Sequence, residues 1–262
     1  MIIDVHAHYT SAPPQLQAFR GTQITNYARP AKGRLNVSDE QIVDSVKGQV
    51  GRMDEWGIDR LMFSPQATAM GHQFGTPLIS RHWTEHCNEL IGRIAQLLPD
   101  RFSAVCQLPQ SPGIPPSEWV DELDRCVNDL GFVACNINPD ISGGAQPFTP
   151  SVGSEWWYPL WEKMVELDIP GTIHASATLN PAFHVTSSHY ICKPLPAMKG
   201  LLCSREPIWW KRNPKKRNPV WKSYWKRSKN FQRRGESFPV RMTRFRRKLW
   251  NNRFQWKMKL PN

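Results

Sequence analysis

No two of the six cysteines are spaced as C-x-x-C, which removes the usual zinc-ribbon and dithiol-redox patterns. Several lie in apolar runs, so they read as small core residues of a reducing compartment rather than a disulfide frame. No charged leader with a long apolar run opens the chain, so neither a signal peptide nor a membrane span is expected, and the cytoplasm is the default location. The loops after the first β-rich runs have no G-x-G-x-x-G and no Walker pattern, which counts against a nucleotide-binding doubly wound sheet. The last deficit is of acidic charge. Residues 192–262 hold 22 Lys and Arg against two acids, Glu206 and Glu236, and contain neither aspartate nor histidine.

That deficit divides the chain. The formal net charge of +12 averages a balance of −8 over residues 1–191, which hold 12 Lys and Arg against 20 Asp and Glu, with +20 over residues 192–262. An asymmetry of this size requires the two segments to be read separately.

Residues 1–191 alternate short β-rich runs with longer amphipathic ones. The β-rich runs are MIIDVHA (1–7), RLMFSP (60–65), FSAVCQL (102–108), GFVACNI (131–137) and PGTIHA (170–175). Four helical patterns lie between them. The first follows Ser38, which with Gln41 has the spacing of a capping box. It carries Ile42, Val43, Val46, Val50 and Met53 on one face and stops at Gly57. The second runs through Trp83, Cys87, Leu90, Ile91, Ile94 and Leu98 to Pro99. The third carries Trp119, Val120, Leu123 and Val127, and the fourth Trp157, Leu160, Trp161, Met164 and Val165. Strands alternating with helices imply parallel βαβ units. The expected fold is α/β, a (β/α)₈ TIM-barrel type represented by about five of its units, since a full barrel takes roughly 250 residues.

The candidate chemistry lies with the histidines. His6 and His8 end the first run, and side chains at i and i+2 on a strand share a face. Both would therefore aim into the mouth at the C-terminal ends of barrel strands, where active sites of this fold collect. His174 ends the fifth run, in TIHAS, across the mouth. Imidazole suits zinc and similar borderline ions, and three protein ligands with an open position is a catalytic arrangement. H-x-H alone is a common pattern; its place on the opening strand, together with His174, points to a metal site. His82 and His86 are four apart on a helix but lack the glutamate of H-E-x-x-H, so a solvated or half-buried helix face is expected there. His72, His184 and His189 fall in loops, and His184 and His189, which follow the fifth run, could line the mouth. Asn136 and Asn138, at the end of the fourth strand, are either mouth-lining amides or turn residues leading into Pro139.

D-x-H-x-H on the first strand with I-H-x-S on the fifth resembles the amidohydrolase superfamily, in its branch of metal-dependent decarboxylases and hydratases. The phrases IIDVHAHYT, FSPQATAM, CNELIGRIAQLLPDRFSAVCQLPQSP, ELDRCVNDLGFVACNINPD and WYPLWEKMVELDIPGTIHAS are similar to the 4-oxalomesaconate hydratases within that branch. The resemblance runs from residue 1 to about 191. It implies a zinc-dependent lyase, or one using another divalent ion, that adds water to a conjugated tricarboxylic acid in bacterial breakdown of protocatechuate or gallate. It also implies that His6, His8 and His174 are the metal ligands; Asn136, Asn138 and His184, from their places after the fourth and fifth strands, are the candidates to meet a small polycarboxylate substrate. A homo-oligomer is compatible with it. The H-x-H and distant His do not separate hydration from decarboxylation or hydrolysis. Gln66 stands where an arginine is expected in the resembled group, which would weaken one carboxylate contact.

The resemblance also implies parts that residues 192–262 do not supply. They contain no histidine to match an acid/base histidine in an H-G-G-G stretch, and no strand-like acidic ligand. Catalytic residues beyond the ligands are therefore unassigned, and impaired activity is expected. This basic, Trp-rich tail has two readings. It is a non-homologous end produced by frameshift, fusion or insertion, or it is a basic–aromatic arm that binds nucleic acid or an anionic membrane. Non-specific affinity for polyanions is expected in either case. Five parallel strands without the remaining three would leave long edges uncovered, so poor solubility is expected.

Overall fold

The computed structural model describes residues 1–66 and 75–174. The tail 192–262, His72, His184, His189, Cys192, Cys203 and the second half of the FSPQATAM phrase lie outside the described residues.

Five strands are present: β1 (Ile3–Tyr9), β2 (Arg60–Pro65), β3 (Phe102–Gln107), β4 (Ala134–Ile137) and β5 (Gly171–Ile173). They form one sheet in the order β1-β2-β3-β4-β5, every neighbouring pair parallel. This order decides between the two α/β folds. A doubly wound sheet reverses direction at a switch point, as in 3-2-1-4-5, whereas strands laid down consecutively curl into a barrel wall. The described residues are five successive units of a TIM-type half-barrel.

Five helices accompany the strands: α1 (Pro14–Thr25), α2 (Asp39–Trp56), α3 (Pro77–Leu97), α4 (Val120–Asn128) and α5 (Tyr158–Glu166). The capping box of α2 forms as its spacing predicts. Ser38 Oγ accepts from Gln41 N at 3.2 Å, and Gln41 Oε1 accepts from Ser38 N at 3.0 Å. Gly57 ends the helix in the left-handed region at φ 65°, a conformation glycine takes without a Cβ penalty. Ile42, Val46 and Met53 are buried, with Val43 and Val50 at the margin of the stripe.

β4 and β5 are shorter than the runs that announced them, and two further differences bear on the site. β1 continues through His8 to Tyr9, because its ladder with β2 runs on to the Tyr9–Pro65 pair. α1 was not expected at all. It begins on Pro14 with no side-chain cap, and only Leu16 and Gln23 of its twelve residues are buried. A helix that buries two residues seven apart has no apolar stripe for periodicity to detect.

The core fills the space between sheet and helices. Phe63, Phe102 and Cys106 from the strands meet Ile42, Val46, Leu90, Ile91 and Ile94 from α2 and α3. Trp119 and Trp157, both fully buried, pack edge to face beside α4 and α5. Cys87, Cys106, Cys126 and Cys135 are buried and free, as expected of core thiols. No helix among the described residues is long and apolar enough to cross a membrane.

Candidate metal centre

His6 and His8 both lie on β1, and Tyr9, the next residue, hydrogen-bonds Ser45 on α2. The histidine face of β1 is therefore the one turned away from α2. The ladder with β2 is not regular here: Asp4 pairs with Leu61 and Ala7 with Phe63, so β1 spends one more residue than its partner. His6 falls within this irregularity, where its N–H donates to Asp4 Oδ1 at 2.9 Å. Such an insertion re-aims side chains beside a functional site. The two rings converge, with Nε2 of His6 3.1 Å from Nε2 of His8.

His174 follows β5 and is anchored by its own N–H, which donates to Ile137 O of β4 at 2.8 Å. Its Nε2 comes within 2.9 Å of Nε2 of His8, although the two residues are 166 positions apart. One nitrogen from each of the three rings lies within 4.8 Å of the others, and this is the one such cluster among the described residues that could hold a metal ion. Nitrogens bound at 2.0–2.1 Å to one tetrahedral ion would stand roughly 3.3 Å apart, so the spacing suits a shared cation.

The ring of His8 is fixed from behind. Ser64, its register partner on β2, donates its hydroxyl proton to Ala7 O at 3.1 Å. The same oxygen lies 2.8 Å from Nδ1 of His8, and Pro65 O lies 3.2 Å from it. With the hydroxyl proton committed to Ala7, Ser64 accepts from Nδ1–H. That tautomer leaves the lone pair of His8 on Nε2, facing the other two rings. Ser64 carries no sequence signal of its own, because a serine one residue from the end of a β-rich run has no distinguishing local pattern.

Burial and mutual repulsion favour the neutral form of His8 and His174. Desolvation lowers the pKa of His8, with the His6 ring adding to the effect. Burial lowers that of His174 to about 4, reinforced by His8 and His6. Neutral imidazole is the form that binds a metal.

The remaining candidates divide. Asn136 sits at the end of β4, nearly buried, and its side-chain amide makes no hydrogen bond among the described residues. Asn138 accepts Asp140 N on its Oδ1 at 3.0 Å, and its backbone N and O are held by Gln110 at 2.8 and 2.9 Å. It structures the β4–α5 loop. His86 is not at a solvated face: it is 3% exposed, between Glu89 Oε2 and Lys32 O, both at 3.0 Å. The helix α1 and its following segment cover it, which helix periodicity could not show.

Residues 3–205 match the amidohydrolase family Amidohydro_2. The chain belongs to the amidohydrolase family. This amidohydrolase is 40% identical over 205 residues to a 2-keto-4-carboxy-3-hexenedioate hydratase of Sphingobium sp., covering 77% of this chain and 60% of that protein. Among solved structures it is similar to a 4-oxalomesaconate hydratase of Rhodopseudomonas palustris, with a TM-score of 0.66 and 38% identity over 82% of this chain and 60% of that one. A more distant likeness, 26% identity over 180 residues, is to a gamma-resorcylate decarboxylase of Rhizobium sp., covering 68% of the amidohydrolase and 51% of the decarboxylase. The chain thus spans about 60% of the length of the two hydratases. The match to the family extends beyond residue 191 to residue 205.

Proposed function

We propose that the chain is a metal-dependent hydratase that adds water to a conjugated tricarboxylic acid of the 4-oxalomesaconate type, and that His6, His8 and His174 hold the ion. The observation that carries this reading is the meeting of three Nε2 atoms in a chain 40% identical to a hydratase for such a substrate. The lone pair of His8 Nε2 is approached by two other imidazole nitrogens, and one lone pair cannot satisfy both as a hydrogen-bond acceptor in a neutral cluster. A cation accepting a lone pair from each ring resolves the conflict.

The three-nitrogen donor set fits zinc, the ion we propose, with manganese as the alternative. When bound, such an ion supplies Lewis-acid polarisation and lowers the pKa of water at its open position. The protein's own part is to hold the rings. The Ser64–Pro65 edge keeps His8 in its δ-protonated tautomer, and the Ile137 carbonyl pins His174 at the strand end. Asn136, with an uncommitted amide beside β5, is placed to donate to a substrate carboxylate. Asn138 and His184 are weaker candidates for substrate contacts, and the proposed setting is cytoplasmic and compatible with a homo-oligomer.

Residues 192–262 offer no histidine as proton donor, and a general acid or base usually contributes roughly 10²–10⁴-fold. The test is loss of 4-oxalomesaconate absorbance on incubation with protein loaded with zinc or with manganese. Hydrate formation that disappears in His6→Ala supports the reading. Release of CO₂ would assign the chain to the decarboxylases instead, and no reaction with either ion would remove the enzymatic reading.

A further inference from the structure

The chain leaves β1 just past His8 through a long connection, residues 10–38, in which α1 is the one regular element. Residues 30–38, between α1 and α2, form neither helix nor strand. A strap of this kind has no ladder, so its carbonyls need donors from elsewhere. Side chains supply them. Gln23 of α1 donates to Ala31 O, His86 Nε2 of α3 meets Lys32 O at 3.0 Å, and Arg93 of α3 donates to Val37 O at 2.9 Å. Lys32 Nζ in turn reaches Glu85 and Glu89 of α3, both at 2.9 Å. Among these ties, imidazole is the side-chain type whose charge changes near neutral pH.

The two ring nitrogens of His86 face groups that can only accept. Nδ1 lies 3.0 Å from Glu89 Oε2, and Nε2 lies 3.0 Å from a backbone carbonyl. Glu89 is ionised at neutral pH: burial works against its charge, but the bonds from His86 and Lys32 prevail and hold its pKa at about 2. A neutral imidazole has one N–H and one lone pair. In either tautomer, therefore, a ring lone pair would face an oxygen lone pair inside a residue only 3% exposed. The imidazolium, with an N–H on each side, satisfies both contacts.

The surrounding charges agree. Lys32 of the strap and Arg125 of α4 are the cations of this cluster, and Glu85, Glu89 and Glu122 are the carboxylates they meet. Two cations against three carboxylates leave one negative charge, which a charged His86 neutralises. His82, one turn earlier on α3, does not take that part, because burial lowers its pKa. From α1 the ring meets Phe19, edge to face with centroids 4.5 Å apart, which brings no charge.

We propose that Glu89, His86 and the Lys32 carbonyl form a pH-operated latch, in which His86 protonated on both nitrogens clamps the connection between β1 and α2 onto α3. The Nδ1 proton, held by a carboxylate, is the one retained as pH rises. Loss of the Nε2 proton then turns a lone pair toward Lys32 O and releases the strap there, while the Lys32 pairs with Glu85 and Glu89 keep the release local. The latch depends neither on what the histidine cluster binds nor on the hydratase reading.

Ring ¹⁵N shifts and backbone hydrogen exchange, read together on metal-free full-length protein, test it. The ring signals missing from His86→Gln belong to His86. At about pH 6 both of its nitrogens should be of the protonated type, and as pH rises Nε2 alone should become bare. At the same pH, protection of the amides of residues 26–38, corrected for the intrinsic pH dependence of exchange, should fall roughly ten- to hundredfold, the range for losing one hydrogen bond from a charged donor. That step should vanish in His86→Gln. In Glu89→Gln, the second variant, ring deprotonation and strap release should move together to lower pH, since the carboxylate that favours the imidazolium is gone. A ring that keeps one bare nitrogen, or both protons, at every pH short of unfolding overturns the proposal. So does a deprotonation that leaves strap exchange unchanged, or an exchange step that persists in His86→Gln.

Discussion

Ser64 and His8 stand opposite each other on β2 and β1, and the serine hydroxyl meets His8 Nδ1 at 2.8 Å while giving its own proton to Ala7 O. A neutral side chain thereby dictates which nitrogen of the central imidazole is free. Ser64→Ala should weaken binding of zinc about tenfold, the lower end of the effect of removing such an orienting partner, because Pro65 O remains near the same nitrogen. Competition with a chromophoric chelator measures this, and an unchanged zinc affinity would deny Ser64 its orienting role.

Removal of a ring should cost far more than removal of its support. His174→Ala leaves two of three nitrogens, so zinc at a concentration that raises the unfolding temperature of the parent protein should leave that of the variant unchanged. The expectation follows from mass action, since an ion stabilises the folded state only as far as it binds that state more tightly. An equal upward shift in both proteins would place the ion elsewhere.

The histidine cluster also predicts a pH dependence for metal-free protein. His174 titrates near 4 when folded and near 6.5 when unfolded. Between those values the unfolded chain binds more protons, so folding stability rises with pH across that window and falls as the solution is acidified. His8, shifted in the same direction, adds to the slope. Urea midpoints taken from pH 4 to 7 should climb, and His174→Asn should flatten the climb; a flat profile in the parent protein would contradict the assignment.

Gly171 opens β5 three residues before His174, and a Cβ there would come within 2.6 Å of Met164 Cε and 2.8 Å of Ile137 Cδ1. The thioether can swing aside, but Ile137 is fully buried. Gly171→Ala should therefore destabilise by about 1–3 kcal/mol through overpacking and displace the strand that presents His174, lowering zinc affinity as well. Chemical denaturation and the chelator assay report the two effects independently. A loss of stability with intact zinc affinity would show that β5 adjusts without moving the ligand.

Much of this was legible in local pattern. The capping box at Ser38 and Gln41, the alternation of β-rich and amphipathic runs, and the i, i+2 spacing of His6 and His8 are short-range properties, set by the geometry of a turn of helix or a pleat of strand. The end of the fifth β-rich run extended that reading to His174. α1 escaped because it buries too little to show a period, and the burial of His86 escaped because the segment covering it is distant in sequence.

What sequence alone determined is the five strands and four of the five helices, their succession along the chain, and which imidazoles were available. The consecutive order of the strands, the extra residue in β1 that re-aims His6, the pairing of Ser64 with His8, and the 2.9 Å approach of His174 to His8 were decided only by tertiary structure. The reason is physical. Spacing along a chain fixes which face of its own strand a side chain takes, but the meeting of atoms on different strands depends on register and curl, which arise only when the whole sheet packs against its helices.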